Sequence, residues 1–360
     1  MRLTTFALKT MAIALLGLGV AIASGQTTNK FIDLLDTAAK PTAKPGSRTV
    51  LALSKAGQRL VGVGWRGLIA YSDDGGASWQ QAQVPVSVDL TAVYFVTPQL
   101  GWAVGHAGVV LHSRDAGTTW QRQLDGRGVA KLMRGHYQAQ VDAGDAGAAK
   151  FLSDAELSWG KAPTLPWLGV RFLDDKRGWV VGPFNMSLYT EDGGATWAPQ
   201  LEKFSNPDAL HLNGIHASDG VLYMASERGF VFRRRPGEER FEALKTGYSG
   251  SFLGVCGRGN TVYAYGLRGN VYRSADAGQT WDGLSSGVSD TITGCAVDQG
   301  RVILSTLGGQ LISTALLETR FENSATLGVG SLFSVTTASP EAVVVAGRLG
   351  VQRRKVIGAP

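Results

Sequence analysis

Two cysteines among 360 residues, Cys256 and Cys295, are too few for the disulfide framework that holds small secreted domains together. Charge is sparse as well, at 18% of residues. Arginine and lysine outnumber aspartate and glutamate by 35 to 29. Such a margin is mildly basic, too little to argue for nucleic-acid binding. Histidine is rarer still. His106, His112, His136, His211 and His216 form no pair at i,i+2 on a strand or i,i+4 on a helix, so no metal site is expected. No apolar run beyond residue 23 approaches the roughly 20 residues of a membrane-spanning helix.

The one sustained apolar run lies at the start. "MRLTTFALKTMAIALLGLGVAIA" joins two early cations, Arg2 and Lys9, to a short apolar core with Ala21 and Ala23 after it. This is the pattern of a secretory signal peptide over residues 1–23, and export is the expectation. Without Arg2 and Lys9 the basic residues fall to 33 against 29 acidic ones, a net charge of +4.

What the chain has in excess is glycine, at 48 residues, and it is periodic. "SDDGGASW", "SRDAGTTW", "TEDGGATW" and "SADAGQTW" end at Trp79, Trp120, Trp197 and Trp281, each 15 residues after Gly64, Gly105, Gly182 or Gly266. Degenerate copies follow in the same register at "SERGFVF", "TLGGQLI" and "GRLGVQR". A second marker, a small residue before a mostly β-branched one, centres on Val93, Val170, Ile215, Val255, Cys295 and Val335. Their separations are 77, 45, 40, 40 and 40. Units of about forty residues made of short alternating runs and glycine-rich turns predict an all-β, seven-bladed β-propeller of four-stranded antiparallel blades. Residues 24–360 form that single domain. The first inner strand falls near "TVLALS" (49–54), and "FIDLLDTA" (31–38) is expected to complete the last blade and so close the ring.

The interval between the second and third markers exceeds the period because of an insertion over residues 124–165. Val129, Leu132, Met133, Tyr137 and Val141 recur at helical spacing, as do Ala148, Phe151, Leu152, Ala155 and Trp159. A helical hairpin between blades two and three is predicted, to serve as a lid, a docking element or padding.

Each repeated phrase suits a tight hairpin. Asp74, Asp115, Asp192 and Asp276 can accept hydrogen bonds from their own turns, glycine supplies positive φ, and Trp79, Trp120, Trp197 and Trp281 can pack between blades. This Asp-box also occurs in sialidases and other glycosidases. A carboxylate occupied by its own turn is a poor acid or base, so a structural role is expected. "GVGWRG" matches a dinucleotide fingerprint but leads into a strand, and "GLSSG" lacks the strand–turn–helix setting of a nucleophile elbow. No cofactor is implied. The cysteines lie 39 apart against a period of 40, on opposite faces of neighbouring inner strands. The sulfurs could approach across one blade interface, but two buried thiols are expected because packed sheets usually stand too far apart to bridge.

The turns between second and third strands share one face with the blade-to-blade connections and the insertion. Gly67, Gly108, Asn185, Gly229 and Gly269 tolerate positive φ there. Arg66, Arg228 and Arg268 precede three of them, and Arg348 in "GRLG" is displaced by one position. They are either solvated turn cations or a set of guanidinium forks for carboxylates and polar segments of a partner.

The leader, the seven units, the Asp-boxes and the G-x-R-G turns ("GWRG", "GLRG") resemble the photosystem II assembly and stability factor propellers, including bacterial relatives outside photosynthesis. The resemblance spans the chain beyond the leader. It implies a noncatalytic, monomeric factor for a membrane protein complex, lumenal in photosynthetic hosts, where it assists the D1 reaction-centre subunit through an arginine-rich patch. By position that role falls on Arg66, Arg228, Arg268 and Arg348. Blades two, three and six lack the arginine, and the insertion exceeds what a minimal propeller needs. In hosts without photosystems the resemblance implies a periplasmic accessory to a resistance-nodulation-division-type exporter. The competing reading is a sialidase-like hydrolase. That fold has six blades, and its F/Y-R-I-P signature is missing here.

Overall fold

Each unit of the repeat folds as an antiparallel meander in sequence order, because short β-rich runs are joined by turns too tight for any crossover. The computed structural model describes residues 32–160, 163–326, 328 and 330–355; the expected leader and residues 24–31 lie outside them. The seven inner strands are Val50–Ala56, Leu90–Phe95, Gly169–Phe172, Leu212–Ser218, Phe252–Arg258, Ile292–Asp298 and Leu332–Ser339. Six blades have four strands and the seventh, among the described residues, has three.

The small residues of the sequence marker explain how seven inner strands fit around one axis. Gly169, Gly214 and Gly294 each stand beside the next blade. A Cβ at Gly294 would lie 2.8 Å from Cα of Ser334. One residue earlier the strand pairing slips, as between Leu90 and Ala92 or Leu212 and Gly214. The bulged side chain then turns outward and bonds the next inner strand. Thr91 Oγ1 donates to Trp167 O (2.5 Å), Asn213 Nδ2 to Phe252 O (2.8 Å) and Thr293 Oγ1 to Leu332 O (2.8 Å). Blade one meets blade seven through Leu53 N, which donates to Ser334 Oγ, and Thr49 Oγ1, which donates to Arg348 O.

Burial follows the interfaces between blades. One apolar cluster fills each of the seven, from Val61, Val93 and Phe95 between blades one and two to Val50, Leu68 and Ala346 between seven and one. The helical hairpin joins this core. Helix α1 (Gly126–Asp142) is capped by Asp125, which accepts from Arg127 N and Gly128 N. It buries Val129, Met133 and Tyr137, while helix α2 (Ala148–Trp159) buries Ala148, Ala155 and Trp159. Trp159 Nε1 reaches Met186 Sδ at 3.3 Å, and the Tyr137 hydroxyl donates to Glu202 Oε2 and accepts from Leu201 N. The hairpin is a wedge between blades two and three. No described helix is long and apolar enough to cross a membrane.

Two expectations are corrected. The described part of residues 31–38 adds no strand to blade seven. Leu34–Asp36 forms a 3-10 turn against the connection between blades one and two, where Leu35 is buried and Ser87 N donates to Leu34 O. Charge holds it there. Asp36 accepts two hydrogen bonds from Arg127 (2.9 and 3.0 Å) and one from Arg122, and Arg127 also pairs with Asp125. These bonds, from Arg127 first, lower the Asp36 pKa to about 2. At the turn end of the third strand of blade seven it is Pro45–Ser47 that lies alongside, for a Cβ at Gly350 would fall 2.1 Å from Gly46 O. The second correction concerns Cys256 and Cys295, which form a disulfide with Cα atoms 6.4 Å apart. Inner strands converge on the axis, so facing side chains of adjacent blades come within bridging reach there, well inside the spacing of sheets packed face to face.

Candidate functional site

Five of the turns between second and third strands are built alike. In blade one, Arg66 (φ 57°, ψ 41°) and Gly67 (φ 73°) are both left-handed and Leu68 N closes the turn on Trp65 O at 3.1 Å. Ala107/Gly108, Phe184/Asn185, Arg228/Gly229 and Arg268/Gly269 repeat the pair. Two consecutive positive φ values match the twist of the hairpin, which is why such turns recur. The second position is sterically closed as well. A Cβ at Gly67 would sit 2.0 Å from Val86 O, and one at Gly229 or Gly269 would sit 1.9 Å from the next connection's carbonyl.

The reason is that each turn is clamped to the connection leading into the next blade. Gly67 N donates to Val88 O, Gly108 N to Leu165 O, Asn185 N to Leu210 O and Gly229 N to Gly250 O. Arg66 N adds a bond to Asp89 Oδ1 at 2.7 Å. The residue before the clamp is thereby held in a conformation that costs a non-glycine residue roughly 1 kcal/mol, with its side chain outside.

Arg66, Arg228, Arg268 and Arg348 all stand exposed on this face. Their states differ. Arg66 and Arg268 make no ion pair among the described residues, whereas Arg228 pairs with Asp208 at 2.8 Å. Arg348 lies in a turn of another type, where only Gly350 has positive φ. Sequence reasoning missed the apolar partners of these cations. Trp65 is 51% exposed, Phe184 46%, Leu267 39%, Leu307 39% and Leu349 62%, and all five lie in the same set of turns. The signal was available in "GWRG" and "GLRG", where the residue before the arginine is large and apolar.

The Asp-bearing hairpins occupy the opposite face. Asp74 Oδ1 accepts from Ala77 N, Ser78 N and Ser72 Oγ, and Oδ2 accepts from Ser78 Oγ. Asp115, Asp192 and Asp276 repeat the arrangement with Thr119, Thr196 and Thr280. Hydrogen bonds from Ser78 hold the Asp74 carboxyl far below the ordinary range, and those from Thr196 lower that of Asp192. Such groups stay ionised and transfer no proton near neutral pH. Trp120 and Trp197 are buried at blade interfaces, while Trp79 and Trp281 are half-buried. Arg59 and Arg233 reach from one blade to the hairpin of the next, donating to Ala116 O and Ala277 O. A groove of about 600 Å³ beside Ala39, Gln81, Val84, Pro85 and Trp120 contains no titratable side chain.

The family model described as photosynthesis system II assembly factor YCF48 matches residues 54–162 and 162–314. The chain belongs to this family. Solved structures share the fold with little sequence. "YCF48 bound to D1 peptide" aligns with a TM-score of 0.62 at 17% identity, over 88% of this chain and 95% of that one. YCF48 from Cyanidioschyzon merolae gives 0.61 at 15% identity, over 89% and 98%. The WD40 propeller domain of Doa1 gives 0.59 at 11% identity, over 89% and 95%. No curated protein matches the chain. The family is described as an assembly factor of photosynthesis system II.

Proposed function

We propose that the protein is a noncatalytic, exported binding and assembly factor whose turn face docks a segment of a membrane protein complex. The observation that carries this reading is the repeated turn itself. At Arg66, Arg228 and Arg268 the chain accepts left-handed strain to present a guanidinium beside an immobile glycine. A planar guanidinium recognises carboxylates through paired hydrogen bonds, and the apolar side chains next to these arginines offer burial. The fit is to an extended segment carrying both acidic and apolar residues. A solved relative described as bound to a D1 peptide supports the choice of a membrane-protein segment.

The leader pattern supports export, and the disulfide suits an oxidising compartment. In a photosynthetic host that compartment is the thylakoid lumen and the partner a photosystem II subunit. Elsewhere it is the periplasm, and the partner is a complex such as a resistance-nodulation-division-type exporter. The propeller acts as a monomer.

The test is affinity co-purification of the mature protein from gently solubilised envelope membranes, wild type against the Arg66→Ala/Arg228→Ala/Arg268→Ala variant. A membrane complex recovered with wild type and lost with the variant supports the reading, and equal recovery removes the arginine face from it. Turnover of a fluorogenic sialoside by the purified protein would restore the hydrolase reading.

A further inference from the structure

Blade seven ends one strand early among the described residues. In each of the other six blades a fourth strand, two to five residues long, pairs with the third. The third strand of blade seven, Gly350–Lys355, pairs only with Ala342–Gly347. Alternate residues of an antiparallel edge strand turn both N–H and C=O away from their neighbour. On the outer side of Val351–Lys355 these groups meet no backbone partner among the described residues. The side-chain bond made there, from Arg354 Nη1 to Arg353 O, comes from the strand itself.

The described chain leaves this edge open. Pro45–Ser47 packs at the Gly350 end only. From there towards the N-terminus the chain follows blades one and two, where Thr42 N donates to Gln81 Oε1, Ala39 N donates to Val84 O and Leu34 O accepts from Ser87 N. The strand is anchored on its blade-one side, for Val351 packs against the Val50, Leu68 and Ala346 cluster and a Cβ at Gly75 would lie 3.6 Å from Arg353 Nη1.

What the edge presents is basic. Arg353 and Lys355 are exposed, Arg354 is half-buried, and none of the three makes an ion pair among the described residues. Cations on a free edge oppose pairing with a second copy, because antiparallel self-pairing sets cation near cation. The same charges favour a strand that carries carboxylates. Backbone pairing then supplies affinity and the side chains supply the choice of sequence.

We propose that the outer edge of Val351–Lys355 is a strand-addition site, where an extended acidic segment of a partner protein completes blade seven as its fourth strand. The site is separate from the ring of turn arginines and does not rest on the reading of that face.

The probe is a C-terminally amidated Glu-Val-Glu-Val-Glu-Val-Glu peptide with fluorescein at its N-terminus, added to the mature protein at fixed ionic strength. Polarisation should rise and saturate, and hydrogen exchange within Val351–Lys355 should slow in the complex. Methylating alternate backbone nitrogens of the peptide keeps its charge and removes its strand hydrogen bonds, so that probe should not bind. Arg353→Glu/Lys355→Glu, at two exposed positions, should weaken binding roughly tenfold. Arg66→Ala/Arg228→Ala/Arg268→Ala should leave it unchanged. The proposal is overturned by the lack of a saturable rise, by equal binding of the methylated probe or of the charge-reversed variant, or by loss of binding in the turn variant. Protection of every Val351–Lys355 amide in the free protein also overturns it, since the edge would then be covered by this chain or a second copy. The methylated probe needs no variant, so a folding failure leaves the question decidable.

Discussion

Removing the Cys256–Cys295 bridge tests how the ring is held closed. The bond joins inner strands of blades five and six across a sequence separation of 39. Cross-linking a loop of about forty residues lowers the entropy of the unfolded chain by an amount worth about 4 kcal/mol at 25 °C in the chain-entropy model. Methyl groups at both positions leave only small cavities, so most of the loss reports the bond. Urea unfolding of Cys256→Ala/Cys295→Ala should therefore show a midpoint well below that of the oxidised wild type, by about 4 kcal/mol in extrapolated stability. Reduced wild type should unfold close to the double variant, and thiol titration of the unreduced, denatured wild type should find no free sulfhydryl. Two titratable thiols would refute the bond itself. Equal midpoints for oxidised wild type and the double variant would refute the argument from loop entropy.

Three further outcomes follow from single side chains. His112 and His216 have pKa values lowered to about 4 and about 3, by burial first and then by Arg114 and Arg171 respectively. A folded pKa below the unfolded value of about 6.5 means that the unfolded chain binds more protons. Their share of stability is complete above about pH 6.5 and is lost as pH falls towards 4 and 3; urea midpoints across that window should flatten in His112→Gln/His216→Gln. For Asp276, burial raises the carboxyl pKa but hydrogen bonds from Thr280 and Ser274 outweigh it, leaving a value of about 2. Its contribution should be present above about pH 4 and vanish as pH falls to 2, so wild type and Asp276→Asn should converge in acid unfolding curves. Arg268→Gly removes roughly 1–2 kcal/mol of left-handed strain and returns roughly 0.5–1 kcal/mol of chain entropy. The variant should unfold at an equal or slightly higher temperature while partner recovery in the co-purification assay falls.

Tight turns and helix faces were legible because their causes are local. A glycine or asparagine at Gly67, Gly108, Asn185, Gly229 and Gly269 announces positive φ within four residues of chain, and all five positions have it. The spacing of Val129, Met133 and Tyr137 marks a buried helical stripe without reference to what covers it. The exposure of Trp65 and Leu267 was less visible, since an apolar residue in a β-rich repeat reads first as core. Arg228 and Arg268 look identical in sequence, yet only Arg228 meets a carboxylate, from Asp208 twenty residues away.

The chain's own periodicity determined the number of blades, their order, the turn chemistry and the place of the helical hairpin, because a repeat of forty residues carries its whole hydrogen-bonding plan inside itself. Tertiary structure alone decided three matters. Residues 34–36 went to the connection after blade one because Arg122 and Arg127 converge there. The two cysteines bonded because inner strands crowd towards the axis. Arg171 met Tyr94 of blade two and Ala217 O of blade four because of how neighbouring sheets pack, which no single unit encodes.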